Sequence, residues 1–270
     1  MSKLQNAFTL IELLIVIAII AVLLTILAPA LQVAKEQATG AVCLGNQRGL
    51  AQAWVLYADV NKGLVVNAHT KRDPAFERGV YWVEPPQLEN GTYCGDGPSP
   101  HPTLEDKQRG IIRGLLFKYT SSLAIYHCPG DRREFSITTH AYRSYSIVGG
   151  LNGEPWGSYK AVRKIGNISW PEEKYAFVEE SDERGWNMGS WQIDPDVKQS
   201  PLAWYWTDPM SIWHNKKSTL GYCDGHGEMR AWQDERTIQF CEDPGSISSQ
   251  QANNPDILFM KMGFPYLELK

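Results

Sequence analysis

The stretch Ala7-Phe8-Thr9-Leu10-Ile11-Glu12-Leu13 decides how this chain is read. A short polar leader ending in Lys3-Leu4-Gln5-Asn6-Ala7 runs into an apolar segment that reaches Leu31, and Glu12 interrupts that segment near its start. As a helix, Leu10–Leu31 is about 33 Å long, enough to cross the hydrocarbon core of a bilayer. A carboxylate there costs roughly 2–3 kcal/mol at a helix centre and less near an interface. Glu12 is therefore expected to have a partner, and that partner points to assembly.

Composition narrows the classes of function. The chain has 270 residues, 43% hydrophobic and 21% charged, which allows a real core outside the apolar segment. The net charge of −4 argues against nucleic acid as a partner, because phosphate binding relies on clustered Lys and Arg. The basic runs Lys71-Arg72, Arg132-Arg133 and Lys216-Lys217 are only pairs. Cys43, Cys94, Cys128, Cys223 and Cys241 form no CxxC pair, which removes zinc-ribbon and thioredoxin readings. Two bridges, one bridge or none all remain open.

Three readings of the apolar segment compete. A plain signal anchor is one. A secretory signal is another, since Ala28-Pro29-Ala30 imitates an A-x-A cleavage site. Against it, Lys3 is the only charged side chain of the leader, and Glu12 lies where a signal peptide is purely apolar. The third reading rests on Phe8-Thr9-Leu10-Ile11-Glu12, which resembles the type IV prepilin motif of pilins and type II secretion pseudopilins.

That resemblance implies a cut between Ala7 and Phe8 by a prepilin peptidase, methylation of Phe8, and Glu12 as the fifth mature residue. The family usually has Gly where this chain has Ala7, and Pro29 sits where it commonly has a helix-kinking proline. Phe8, Glu12 and Pro29 are thereby the expected assembly residues. Glu12 of one subunit would neutralise the N-terminal amine of its neighbour, relieving on assembly a penalty borne by the monomer.

Beyond Pro29 the pattern becomes amphipathic: Leu31, Ala34, Ala38, Val42, Ala53 and Tyr57 recur at three- to four-residue spacing among polar residues. Gly40, Gly45 and Gly49 each weaken a helix by about 1 kcal/mol relative to Ala unless close packing uses their smallness. Asn61-Lys62-Gly63 is the expected stop. Phe8 to Ala58 then forms one long helix of roughly 75 Å, kinked at Pro29. Residues 64–110 read as irregular, with a short helix over Ile111–Tyr119 and a turn at Cys128-Pro129-Gly130-Asp131. Strands are expected at Tyr142–Val148, Tyr175–Glu179, Met188–Ile193, Thr219–Cys223 and Glu228–Trp232. Asp224-Gly225 predicts a type I′ hairpin, and residues 243–254 read as loop.

A second resemblance covers both ends and the middle. Cys43-Leu44-Gly45-Asn46-Gln47-Arg48-Gly49-Leu50, Trp54, Tyr57-Ala58, Cys128-Pro129 and Ser144-Tyr145-Ser146 look like landmarks of prepilin-type proteins with the H-X9-DG processing-associated domain. The naming motif is present as His214, nine intervening residues, and Asp224-Gly225.

His214, Asp224 and His226, with Glu228, invite a metal hypothesis. The simpler reading, a hairpin turn to which His214 hydrogen-bonds a loop, is preferred, so no metal site and no cofactor is expected. No Asp-rich calcium loop stands out. G-x-S-x-G, H-E-x-x-H and P-loop motifs are absent. Glu179-Glu180 with Asp182-Glu183 reads as a solvated turn rather than a glycosidase pair. Trp186, Trp191, Trp204, Trp206 and Trp213 cluster. They fit a core or subunit interface, though Trp204 and Trp206 are candidates for an exposed, ligand-stacking face.

The expectation is therefore an α+β, pilin-like fold: a long N-terminal helix, membrane-spanning in its first half, packed on an antiparallel sheet domain with long loops. Its parts are a leader (1–7), the transmembrane and assembly helix (8–31), its amphipathic continuation (32–62) and a globular domain (63–270). By resemblance it is a structural subunit of a type IV pilus or type II secretion pseudopilus, not an enzyme. Its partners are the prepilin peptidase/methyltransferase, other pilin or pseudopilin subunits and inner-membrane lipid, with no nucleic acid. The precursor is expected to cross the bacterial inner membrane once, leader cytoplasmic and domain periplasmic, before assembly in the envelope or outside the cell. A binding module that displays the Trp-rich domain to polysaccharide is the alternative.

Overall fold

The computed structural model describes residues 10–70, 80–94, 102–131, 133, 142–153, 159–182 and 189–268. The cleavage pair Ala7 and Phe8, Glu183 and Trp186 lie outside the described residues.

One helix, α1 (Leu10–Val60), runs for 51 residues, and Pro29 lies inside it without ending it. Two halves with opposite surroundings share this helix. Every residue from Leu10 to Lys35 is exposed. Burial begins at Gly40 and continues along Cys43, Gln47, Leu50, Ala51, Trp54 and Ala58, the spacing of one helix face. Of the stripe expected from the sequence, Ala53 is buried and Tyr57 packs against the core, whereas Leu31 and Val42 point outward. Small residues turn the seam: a Cβ on Gly40 would lie 2.8 Å from Met229 Cε, and one on Gly49 2.5 Å from Ile125 Cδ1. Gly45 has nothing within 4 Å and gains no such contact. The stop falls where expected. Gly63 N–H returns to the Ala58 carbonyl at 2.8 Å, with Lys62 and Gly63 at φ of 57° and 77°.

The short helix expected over Ile111–Tyr119 is two helices, α2 (Leu104–Arg113) and α3 (Phe117–Thr120). Thr103 and Asp106 form a capping box that starts α2 earlier, an interaction typically contributing about 1 kcal/mol. The chain then leaves the helix at Gly114, where a Cβ would fall 2.3 Å from the Trp82 carbonyl oxygen.

The strands are β1 (Tyr145–Ile147), β2 (Tyr159–Lys160), β3 (Tyr175–Glu179), β4 (Lys217–Tyr222), β5 (Gly227–Ala231) and β6 (Leu267–Glu268). The main sheet has the order β1-β3-β4-β5, antiparallel throughout, and β2 pairs separately with β6. This is an α+β, pilin-like architecture. α1 lies across the sheet at β4, where a Cβ on Gly221 would approach the Gln47 carbonyl oxygen to 2.9 Å. The opposite face carries Ser218, whose hydroxyl accepts a 2.8 Å bond from Trp232 Nε1–H. There α4 (Glu235–Glu242) and α5 (Pro255–Gly263), neither expected from the sequence, add Phe240 and Phe259 around Trp232 and Trp206.

Two strand expectations change. Within 189–193, Trp191 makes a single parallel bridge to Val148 and no strand forms. The β4–β5 hairpin closes through Gly225 N–H to the Tyr222 carbonyl and Tyr222 N–H to the His226 carbonyl. Gly225 alone in the turn has positive φ, 94°. A type I′ turn needs positive φ at both central residues, so this is instead a three-residue loop ending on a left-handed glycine.

Candidate functional site

Two features stand out from an ordinary packed domain. The first is the exposed half of α1. Leu10, Ile11, Leu13 to Ile17, Ile19, Ile20 and the apolar residues through Leu31 are between two-fifths and four-fifths exposed. This helix is long and apolar enough to cross a membrane, and none of its most apolar window is buried in the domain. Glu12 lies in its first turn on that exposed surface. Apolar area on this scale is stable only when lipid or another protein covers it.

The second feature is a buried cluster assembled from four separate segments. α1 supplies Cys43, the turn after Tyr126 supplies Cys128, the end of β3 supplies Glu179, and the segment before β4 supplies His214. All four side chains are buried, and their nearest sulfur, nitrogen and oxygen atoms lie within 4.8 Å of one another. Cys43 Sγ and Cys128 Sγ are 2.6 Å apart, Cys128 Sγ and His214 Nε2 3.4 Å, and His214 Nε2 and Glu179 Oε1 2.9 Å.

Local structure explains the convergence. The expected turn at Cys128-Pro129-Gly130-Asp131 forms, with Asp131 N–H on the Cys128 carbonyl at 2.9 Å, and it directs Gly130 N–H onto Cys128 Sγ at 3.2 Å. Glu179 Oε2 accepts the Thr219 backbone N–H at 2.9 Å. The Thr39 hydroxyl donates to the Glu36 carbonyl and lies 3.4 Å from His214 Nδ1, so it is the acceptor for an Nδ1 proton. Gly40 makes room for the imidazole: a Cβ there would sit 3.3 Å from His214 Cβ.

The electrostatics are unusual for a buried spot. Hydrogen bonding from Cys128 holds the Cys43 thiol down at about 6, against burial that pushes it up. Burial, together with the bond to Cys43 and the Glu179 charge, drives the Cys128 thiol far upward. Burial alone would lower His214, but bonds to Cys43 and Glu179 and their charges raise it to about 10.

Several expectations are corrected by this placement. His214 is not with Asp224 and His226. Its neighbour on α1 is Gly40, whereas Gly225 lies over Gln52, about 18 Å further along the helix axis. Asp224 and His226 bond each other at 2.6 Å on the exposed hairpin, so neither the three-residue metal set nor the loop-to-hairpin bond forms. Glu179 and Glu180 do not form a solvated turn: both are buried, and Glu180 accepts the Ser146 hydroxyl. Trp204 and Trp206 are 6% and 2% exposed, with Trp206 stacked on Phe240. Both indoles turn inward, and the exposed stacking face is not formed. Among the described residues the most exposed indole is instead Trp170, 68% exposed and held at positive φ. Cys43, Cys128 and Glu179 were missed as one site because their spacing in sequence, 85 residues or more between α1 and the other two, carries no local ligand motif.

Comparison with known proteins is informative at one end of the chain. Neither curated proteins nor solved structures yield a match. Residues 2–28 match the prokaryotic N-terminal methylation motif, which is consistent with a type IV prepilin-like N-terminus and with a single-pass membrane anchor.

Proposed function

We propose that the chain is a pilin-like (pseudopilin) subunit that assembles through α1 into a type IV pilus or a type II secretion pseudopilus. The observation that carries this reading is the split character of α1. Residues 10–35 are exposed without interruption, in direct helical continuity with a stretch seated on the sheet. Lipid covers the exposed half in the precursor, and neighbouring subunits cover it in the filament. The methylation motif over residues 2–28 supports the same reading.

The prepilin peptidase cuts between Ala7 and Phe8 and Phe8 is methylated, leaving an amine four residues before Glu12. In the filament Glu12 neutralises the amine of an adjacent subunit, offsetting the cost of a carboxylate in an apolar layer. The domain from residue 63 onward, with His214, Asp224 and Gly225 as its H-X9-DG motif, is displayed outside the membrane and catalyses nothing. Burial of Trp204 and Trp206 removes the main support for a polysaccharide-binding module.

The N-terminal mass of the mature protein tests processing: Phe8 carrying one methyl is expected, and an intact leader or an N-terminus at Leu31 overturns it. Glu12→Ala tests assembly. It should still insert in the membrane but fail to enter filaments, and normal incorporation would refute the docking role.

A further inference from the structure

We infer that Cys43, Cys128, Glu179 and His214 form a binding site for a divalent metal ion of the zinc class, closed by four protein ligands. The inference rests on the buried cluster alone and is independent of the pilin reading.

Two thiols, one imidazole nitrogen and one carboxylate oxygen are a donor set suited to zinc, and all four atoms fall within 4.8 Å of one another. Zinc ligand bonds of roughly 2.0–2.3 Å place tetrahedral donors about 3.3–3.8 Å apart. The Cys128–His214 separation of 3.4 Å already fits. His214–Glu179 at 2.9 Å is a few tenths short. The sulfurs at 2.6 Å must part by about 1 Å, which rotation about the Cys43 and Cys128 side-chain bonds supplies.

The surroundings of the cluster argue more strongly than the donors themselves. Metal ligands are normally aimed by outer hydrogen bonds that fix tautomer and orientation. Here the Thr39 hydroxyl, its own proton given to Glu36, accepts the Nδ1–H of His214, so Nε2 is the ring atom that faces the cluster. Thr219 N–H occupies Glu179 Oε2 and leaves Oε1 facing inward. Gly130 N–H supports the charge on Cys128 Sγ. A disulfide would not require a His and a Glu to converge on it, and a His–Glu pair would not require two thiols. One ion accounts for all four. On binding, the thiol protons of Cys43 and Cys128 and any proton on His214 Nε2 leave to solvent, and no oxidation or reduction takes place.

The test uses the full-length chain, purified in detergent without chelators. Elemental analysis is expected to find one zinc per chain. Cobalt(II) exchanged into the site should give thiolate-to-cobalt charge-transfer absorption and tetrahedral ligand-field bands. Cys43→Ser should reduce the thiolate band by about half, and His214→Ala should abolish stoichiometric binding. His214→Cys should retain the metal and add a third thiolate contribution, which separates loss of a ligand from loss of the fold. Thr39→Val should weaken zinc binding about 10–100-fold while leaving the thiolate band intact. The inference is overturned if the chain binds no metal and its mass shows Cys43 joined to Cys128 as a disulfide. It is also overturned if both thiols are free yet added zinc does not bind, or if binding survives unchanged in Cys43→Ser and His214→Ala.

Discussion

His214 Nε2 lies 2.9 Å from Glu179 Oε1, with both side chains fully withdrawn from solvent. Removing one partner of such a pair strands the other in a low-dielectric interior, which typically costs about 3–5 kcal/mol. In chelator, His214→Ala should lower unfolding stability by that amount in denaturant titrations followed by circular dichroism. His214→Gln, which can still donate to the carboxylate, should lose less.

Gly221 lets α1 sit directly on β4, its missing Cβ only 2.9 Å from the Gln47 carbonyl oxygen and 3.4 Å from Ala51 Cβ. Gly221→Ala should therefore push the helix off the strand and destabilise the domain by about 1–3 kcal/mol. A midpoint of unfolding equal to wild type would show that α1 is not seated this closely.

Gly45 makes the opposite case. It is an exposed helical glycine with open space around its Cα, so Gly45→Ala should stabilise the isolated subunit by up to about 1 kcal/mol. Thermal unfolding in detergent checks the sign.

Glu180 gives a pH dependence. Burial, reinforced by the nearby Asp182 and Asp208 charges, raises its carboxyl to about 8, while Ser146 and Arg143 oppose the shift. The folded chain thus holds a proton that the unfolded chain releases near 4.5. Its contribution is complete below that pH and is lost as pH rises towards 8, with a slope of up to about 1.4 kcal/mol per pH unit. The melting temperature should fall from pH 5 to pH 8, and Glu180→Gln should flatten that fall.

Much of the frame was legible in the sequence because local rules governed it. The Asn61-Lys62-Gly63 stop, the turn at Cys128 and strand Tyr175–Glu179 all arise from side-chain chemistry within a few residues. What escaped depended on tertiary contact. The buried face of α1 rotated because Gly40 and Gly49 admit Met229 and Ile125, which periodicity cannot register. α4 and α5 are short and flank the polar stretch 243–254, and their caps at Asp234 and Asn254 show only in the folded chain. The acid pair at Glu179 and Glu180 reads as solvated in sequence, and only the fold brings His214 and Ser146 to bury it. The Cys43–Cys128–Glu179–His214 cluster draws on four segments and carries no spacing signature.

The position of Thr39 and Cys43 has a mechanical consequence. They lie only a few residues beyond Lys35, where the unbroken exposed run of the helix ends. A pull on the apolar half of α1 therefore reaches the domain first at the joint where Thr39 meets His214 and Cys43 meets Cys128. Peeling the helix away from that end would have to break the buried cluster before the long seam over β4 comes under load. The chain places a buried cluster of polar contacts at the point where tension enters.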